Sequence, residues 1–343
     1  MKTLIVGAGI IGSIYGWALS KAGCAVTHLV RPGKSDQFAT GILIDILDNR
    51  KGYVRAQTDR YYLRVTEELR VSDDFDLVIV PTKPYQVEDA LRQIVPYTQR
   101  ANYLLLTQNW SGTTTIDSLL AQSRYVYGDA KAGGCYRDAT LISTIFPTID
   151  LGRANGQKDS HLAEMATLFE SIGIKPNLRD NILHYIWVQY AISAGLWPGL
   201  VRAGDFKSLL RDRHTVDLSL LAVKECLNVA AHRGIDLRKY PETRMYTTSS
   251  SFVREVAGLM LRMLFRFNKS IQRMLSPCAG RSTRDQNGVL SSAENRQRTG
   301  SRNADYERLR ERYCAFWKYS RQRAAQLTLE LGGRSARKLS ANR

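Results

Sequence analysis

The sequence predicts an α/β protein: an N-terminal doubly wound parallel sheet, then a mainly α-helical second half. Three observations carry that reading. The β-branched and aliphatic run Thr3–Val6 leads at once into a glycine-rich turn and an apolar helical pattern from Ile10 to about Ala22. A second strand-like run, Ala25–Val30, follows, and strand, turn, helix and strand together form the unit of a parallel sheet. After roughly Gly156 the two-residue strand patterning gives way to helical periodicity.

The elements follow in order. Asp76–Val80 reads as a buried strand and Gln86–Ile94 as the helix after it. Tyr103–Thr107 is a further strand, Thr115–Gln122 a short helix, and Tyr125–Tyr127 a last parallel strand. Ala139–Ile149 alternates and is β-branched, so it is expected as one antiparallel strand near the sheet edge. Asp159–Ile172, Asp180–Leu196, Arg213–Arg233 and Ser250–Leu275 are expected as helices. The sequence thus divides into residues 1–156, a dinucleotide-binding half; residues 157–275, a helical substrate or dimerisation half; and residues 276–343, a basic extension. Within the extension, Asn303–Leu331 has helical character, with Asn303 as its cap and Gly332 and Gly333 as its stop.

Of the 343 residues, 44% are hydrophobic and 24% charged, which excludes a disordered chain. No apolar stretch reaches the ~18 residues of a membrane span. The net charge of +17 favours anionic ligands. Residues 281–343 hold 15 basic and 6 acidic side chains, so much of the excess lies at the end of the chain. Basic residues interleaved there with Tyr306, Tyr313, Phe316, Trp317 and Tyr319 could grip nucleic acid, but a divergent extension is the simpler expectation and no nucleic acid is expected as partner. Likewise the Arg-, Met- and Phe-rich Val253–Leu275 could lie on an anionic membrane, but is expected to pack in the second half or in a homodimer interface. Five widely spaced cysteines without a CxxC argue against a disulfide framework or a structural metal, and fit a cytoplasmic location. Residues 2–25 superficially resemble a secretory signal, but the glycine pattern fits a buried first strand better.

Gly7, Gly9 and Gly12 form GxGxxG in its required context, between a strand and a helix. Gly7 permits the turn, Gly9 leaves room for a pyrophosphate, and Gly12 lets the helix pack on the sheet. With Ala8, Ile10 and Ile11 they would present the helix N-terminus to phosphate, as in a Rossmann-type site. An NAD site usually carries an acid at the end of the second strand. Here the sequence reads HLVRPGK, with Arg31 at the tip, and a forked guanidinium suits a 2′-phosphate. The expected cofactor is NADPH; the alternative is a surface arginine that merely follows a strand.

Three further segments now align with one family. These are VPTKPYQVEDAL with Lys83, LLLTQNWSG with Asn109, and LRDNILHYIWVQYAISAG. Together with the glycine turn and VRPGK, they resemble the ketopantoate reductases (2-dehydropantoate 2-reductases) over roughly residues 1–275. The resemblance implies NADPH-dependent reduction of a small 2-keto acid, ketopantoate, on the way to pantothenate, in a cleft between the two halves. It implies that Lys83 lies near the cofactor and Asn109 near the nicotinamide ribose and substrate. Trp110 stands where the family usually has glycine. Where the family keeps its general-acid lysine this chain has Gln189, and where it keeps a substrate-binding asparagine it has Ser193. The family's substrate-binding serine matches Ser250 or Ser251, and its later glutamate has no counterpart in LMLRMLFRF.

Asn181, Tyr185, Gln189 and Ser193 recur every four residues and share one helix face. Such a stripe either meets solvent or lines a cleft. Hydride delivery to a ketone leaves an alkoxide that needs a proton or a positive charge. Gln189 transfers no proton readily, and Lys83, Tyr190, His184 and Lys207 are the available replacements. The reading is therefore a 2-keto acid reductase with an intact NADPH site. The alternatives are a catalytically weak or silent homologue and a reductase of another carbonyl compound.

Overall fold

The computed structural model describes residues 1–203, 206–247 and 268–275, together with Val256, Leu259 and Met263. Its centre is an eight-stranded sheet. Six strands are parallel: β1 (Lys2–Val6), β2 (Ala25–Leu29), β5 (Arg64–Thr66), β6 (Leu77–Val80), β7 (Asn102–Leu105) and β8 (Tyr125–Asp129). Their spatial order is β5-β2-β1-β6-β7-β8. The chain therefore runs outward from β1 in one direction and resumes from β6 in the other. That reversal is a topological switch point, where open α/β sheets bind ligands at the carboxyl ends of their strands.

Why these runs form central strands is clear from their burial. Leu77, Val78, Ile79 and Val80 are all fully buried, which requires helices on both faces. On one face lie α1 (Ile10–Lys21) and α4 (Ser160–Ser171), in a core with Ile5, Ile79, Leu104 and Val126. On the other lie α2 (Val87–Ile94), α3 (Thr114–Asp117) and the start of α5 (Ile182–Ala203), against Leu4, Val78, Val80, Leu105 and Tyr127. The expected doubly wound sheet is thus the observed one.

A second sheet departs from the sequence reading. β3 (Ile42–Asp48), β4 (Arg55–Tyr61), β9 (Ala132–Arg137) and β10 (Thr140–Ile145) form it, in the order β4-β3-β10-β9. It covers the outer side of α1, placing Ile44, Ile46, Leu141 and Ile145 in the same core as Ile14 and Leu19. This explains a helix buried from Gly12 to Leu19 without a break. The expected single strand Ala139–Ile149 is in fact two. Its first part is β10, inside the second sheet, and its last part opens β11 (Thr148–Gly152), antiparallel to β8 in the first. Pro147 sits at the break, where its missing N–H cannot serve a ladder.

The helix expected to open the second half is α4, and it packs on the first sheet through Leu162, Met165, Leu168 and Phe169. After it, β12 (Lys175–Leu178) pairs with β11 as the sheet's edge strand. The sheet-bound part therefore continues to Leu178, because the apolar face of α4 has a sheet face to cover.

Beyond it, α5 packs on α6 (Phe206–Arg211) and α7 (Arg213–His232) around Val188, Ala191, Val223, Cys226 and Leu227. A Cβ on Gly195 would stand 2.4 Å from the backbone nitrogen of Val223, so this glycine sets how closely α5 and α7 approach. Asn181 caps α5, accepting from the His184 N–H at 3.0 Å. The segment Lys269–Leu275 is helical and returns to the second sheet, where Arg273 Nη1 meets Asp45 Oδ1 at 2.7 Å. Among the described residues no helix is long and apolar enough to cross a membrane. The extension 276–343 lies outside the described residues.

Candidate active site

Because the six strands are parallel, their carboxyl ends share one edge. That edge gathers the turn Gly7–Gly9 after β1, Arg31 after β2, Lys83 after β6, Asn109 after β7 and Asp129 at the end of β8.

The glycine turn has the shape its sequence implies. Gly7 adopts φ +90°, a left-handed backbone that suits glycine. Gly9 is exposed, and a Cβ there would meet nothing within 4 Å. A Cβ on Gly12 would lie 2.9 Å from the Gly7 carbonyl oxygen and 3.1 Å from Ile5 Cγ2, so glycine lets α1 approach β1. Gly9 is the N-cap of α1, and no side chain caps that end. The first N–H groups of the helix, at Ile10 and Ile11, therefore keep their donors for a ligand, beside the positive end of the dipole. These features fit a pyrophosphate.

Arg31 is exposed one residue beyond buried Val30. The loop it opens is a tight turn: the Lys34 N–H bonds the Arg31 carbonyl at 3.1 Å, with Pro32 second and Gly33 third at φ +70°. Glu67, just past β5, fastens this loop. Its carboxylate accepts from the N–H groups of Gly33, Lys34 and Ser35 at 2.9, 2.9 and 2.8 Å. Those bonds, from Ser35 and then Gly33, hold the Glu67 carboxyl down to about 2. Sequence reading missed Glu67; an acid at the end of the neighbouring strand was its only signal. Lys83 is exposed and precedes the short turn Pro84–Gln86.

Asn109 is buried and held on several sides. Its side-chain amide donates to Tyr127 Oη at 3.0 Å and accepts from the Ser111 N–H at 2.9 Å. Its carbonyl accepts from Trp187 Nε1 at 2.6 Å, which ties α5 to the loop after β7. Next to it, Trp110 stacks near Trp187 and Tyr190, with ring centroids 5.9 and 5.6 Å away. The Arg233 guanidinium lies 4.5 Å from the Trp110 ring and 4.0 Å from Trp187, and donates to the Trp110 carbonyl at 2.7 Å. Trp110, Trp187, Tyr190 and Arg233 thus form an aromatic wall with a cation in it beside Asn109.

The polar stripe on α5 turns inward. Tyr185 is buried, while Gln189 and Ser193 are half-buried. Gln189 Nε2 donates to Glu242 Oε1 at 2.9 Å. Glu242 arrives from the turn before α8 (Arg244–Thr247), an element that sequence reading left unassigned. Ser193 Oγ bonds back to the Gln189 carbonyl at 2.9 Å. His184 is lowered from its usual range by burial, then by Lys239 and Arg233, which favours its neutral form over the protonated one. Ser250 and Ser251 lie outside the described residues, as does the Lys207 side chain.

The structure also assembles a charged cluster that sequence reading did not find. Lys131 Nζ bonds Asp129, lies 3.4 Å from Asp150 Oδ2, and donates to Tyr185 Oη at 3.0 Å. Arg179 pairs with Asp150 at 2.6 Å and covers the Tyr185 ring at 4.1 Å. Burial works against the Lys131 charge, but Asp129 and Tyr185 hold its ammonium above the usual range. Burial pushes the Tyr185 phenol up to about 12, with Lys131 opposing the rise. These residues come from β8, the β8–β9 loop, β11, the residue after β12 and α5, so only the folded chain reveals their proximity.

Residues 3–126 match the family described as "Ketopantoate reductase PanE/ApbA". Over that first third the chain is similar to that family. It is 24% identical over 274 residues to a 2-dehydropantoate 2-reductase of Pyrococcus abyssi, covering 79% of this chain and 87% of that one. Among solved structures, a 2-dehydropantoate 2-reductase of Geobacter metallireducens GS-15 aligns with TM-score 0.61 at 15% identity, covering 79% of this chain and 86% of the other. A D-mandelate dehydrogenase solved with NADH aligns with TM-score 0.61 at 18% identity, covering 93% and 97%. At such identities the structural likeness is one of fold. Family members named for their activity are oxidoreductases acting on a keto/hydroxyl pair.

Proposed function

We propose that this protein reduces a 2-keto acid with NADPH. The observation that carries the reading is the uncapped amino end of α1 above Gly9, an open anion seat at the switch point of a parallel sheet. Gly7, Ala8, Gly9, Ile10, Ile11 and Gly12 hold the pyrophosphate, and Arg31 meets the 2′-phosphate with charge-assisted bonds. Lys83 reaches toward the cofactor from the end of β6. Bound there, NADPH supplies the hydride for the carbonyl carbon. Asn109, fixed by Tyr127 and Ser111, orients the substrate and nicotinamide ribose at the end of β7. The likeness to D-mandelate dehydrogenase and the Trp110–Trp187 wall favour a 2-keto acid with a flat or aromatic substituent over ketopantoate.

A second reading, a weak or silent enzyme toward ketopantoate, is favoured by one contact. The position where the family has its lysine carries an amide committed to the Glu242 carboxylate. That pair offers the developing alkoxide no cation. NADPH oxidation, followed by its absorbance, against ketopantoate and a panel of aliphatic and aromatic 2-keto acids separates the readings. Turnover of at least one aromatic member at an ordinary kcat, ~1–10³ s⁻¹, is expected. Ketopantoate should be slow, and Gln189→Lys should raise its rate by about tenfold or more, toward the contribution of a general acid. No oxidation with any member, beside intact NADPH binding, would establish the silent reading instead.

A further inference from the structure

The chemistry requires a proton donor or a cation beside the new alkoxide, and residue 189 supplies neither. We propose that Tyr185 is the proton donor and that Lys131 positions and recharges it, replacing the lysine absent at residue 189. This deepens the reductase reading above and rests on it.

Three observations place the pair. Tyr185 lies one turn before Gln189 on the same inward stripe of α5, so the donor has moved by about 6 Å along the helix axis. The phenol bonds Lys131 Nζ at 3.0 Å, two residues beyond the end of β8. Asn109 leads to the same place: it bonds Tyr127, and Tyr127 and Asp129 project from one face of β8. The substrate-orienting amide and the Tyr185–Lys131 pair thus stand at neighbouring strand ends of one sheet edge.

The charges around the pair suit the task. Lys131 faces Asp129 and Asp150, and Asp150 also holds Arg179, so two carboxylates balance two cations. The balance keeps Lys131 protonated without leaving a net charge under the substrate. Arg179 over the ring fixes the phenol's orientation. The Lys131 side chain is 27% exposed and that of Arg179 38%, whereas Asp150 is sealed at 1%, so Lys131, which bonds the phenol, has its own path to solvent.

The step balances. The carbonyl carbon gains a hydride from the reduced nicotinamide, which is thereby oxidised. The C=O π pair passes to oxygen, and that oxygen takes the Tyr185 proton. Lys131 reprotonates the phenolate and recovers its own proton from water. The ketone ends as an alcohol, and one solvent proton is consumed.

The test uses the full-length protein and its best 2-keto acid. Tyr185→Phe should lower kcat by ~10²–10⁴-fold while leaving NADPH affinity unchanged. Oxamate, an isostere that accepts no hydride, should bind the NADPH complex roughly 2- to 12-fold more weakly in that variant, the value of one lost hydrogen bond. Lys131→Arg keeps the charge and should retain more turnover than Lys131→Met, with NADPH affinity again unchanged. It also provides a milder variant should Tyr185→Phe fail to fold. Unchanged turnover and oxamate affinity in Tyr185→Phe would overturn the assignment while leaving the reductase reading intact, as would equal loss of NADPH affinity and kcat. A wild type that binds NADPH but reduces no 2-keto acid would overturn both.

Discussion

The two ends of the candidate cleft are built by different means. The nucleotide end is made of backbone: a left-handed Gly7, an open Gly9, and free helix N–H groups, all within six consecutive positions. The chemical end is made of side chains drawn from distant parts of the chain: Lys131, Asp150, Arg179 and Tyr185 meet in one cluster, Asn109 is tied to α5 through Trp187, and Gln189 to Glu242. A backbone seat tolerates sequence drift as long as its glycines stay. A side-chain cluster can be rewired one residue at a time; in the present one, Gln189 donates to Glu242.

The contrast can be broken at either end. The largest effect is expected from Asp150→Ala. It leaves Arg179 and Lys131 without a shared buried partner, and breaking such a pair costs about 3–5 kcal/mol. Urea unfolding measures it, and a loss below about 1 kcal/mol would show that the cluster does not hold the chemical end together. Next is Arg31→Ala. Loss of a hydrogen bond to a charged group is worth about 1.5–3 kcal/mol, so NADPH should bind roughly 10- to 150-fold more weakly. NADH affinity should not move in the same titration, and an equal loss for both would remove Arg31 from phosphate recognition.

A paired substitution sharpens the backbone half. Gly12→Val drives side-chain atoms into the Gly7 carbonyl and Ile5, an overpacking cost of about 1–3 kcal/mol in thermal unfolding. Gly9→Val meets open space, so it should keep stability and lose NADPH binding. The reverse pattern would contradict the assignment of the two glycines. The smallest effect is a titration. Glu67 has its folded value depressed to about 2 from an ordinary 4.5. Its contribution is therefore complete above pH ~4.5 and lost as pH falls through ~2. Amide resonances of Gly33, Lys34 and Ser35 should report that low midpoint, whereas a midpoint near 4.5 would mean that the carboxylate does not fasten the loop.

Legibility in the sequence follows the same division. The parallel strands, α1 and the glycine turn could be read because each is set by adjacent residues: apolar runs, a turn motif and a helical period. The second sheet was not read, since β3 and β4 carry Asp45, Asp48 and Asp59 among their apolar residues and β9 is rich in glycine. The sheet-bound role of α4 was missed because amphipathic periodicity tells that a face is covered and not by what. At the site, the stripe through Tyr185, Gln189 and Ser193 was visible, yet its direction was settled only by packing. Lys131 carried no local mark; its meaning comes from Asp150 and Tyr185, residues far away in the chain.

Calorimetric titration of the full-length protein with NADPH and with NADH tests the central claim most directly. The account predicts that NADPH binds at least about tenfold more tightly, from charge-assisted contact between its 2′-phosphate and Arg31. Equal affinities, or no heat from either nucleotide, would contradict it.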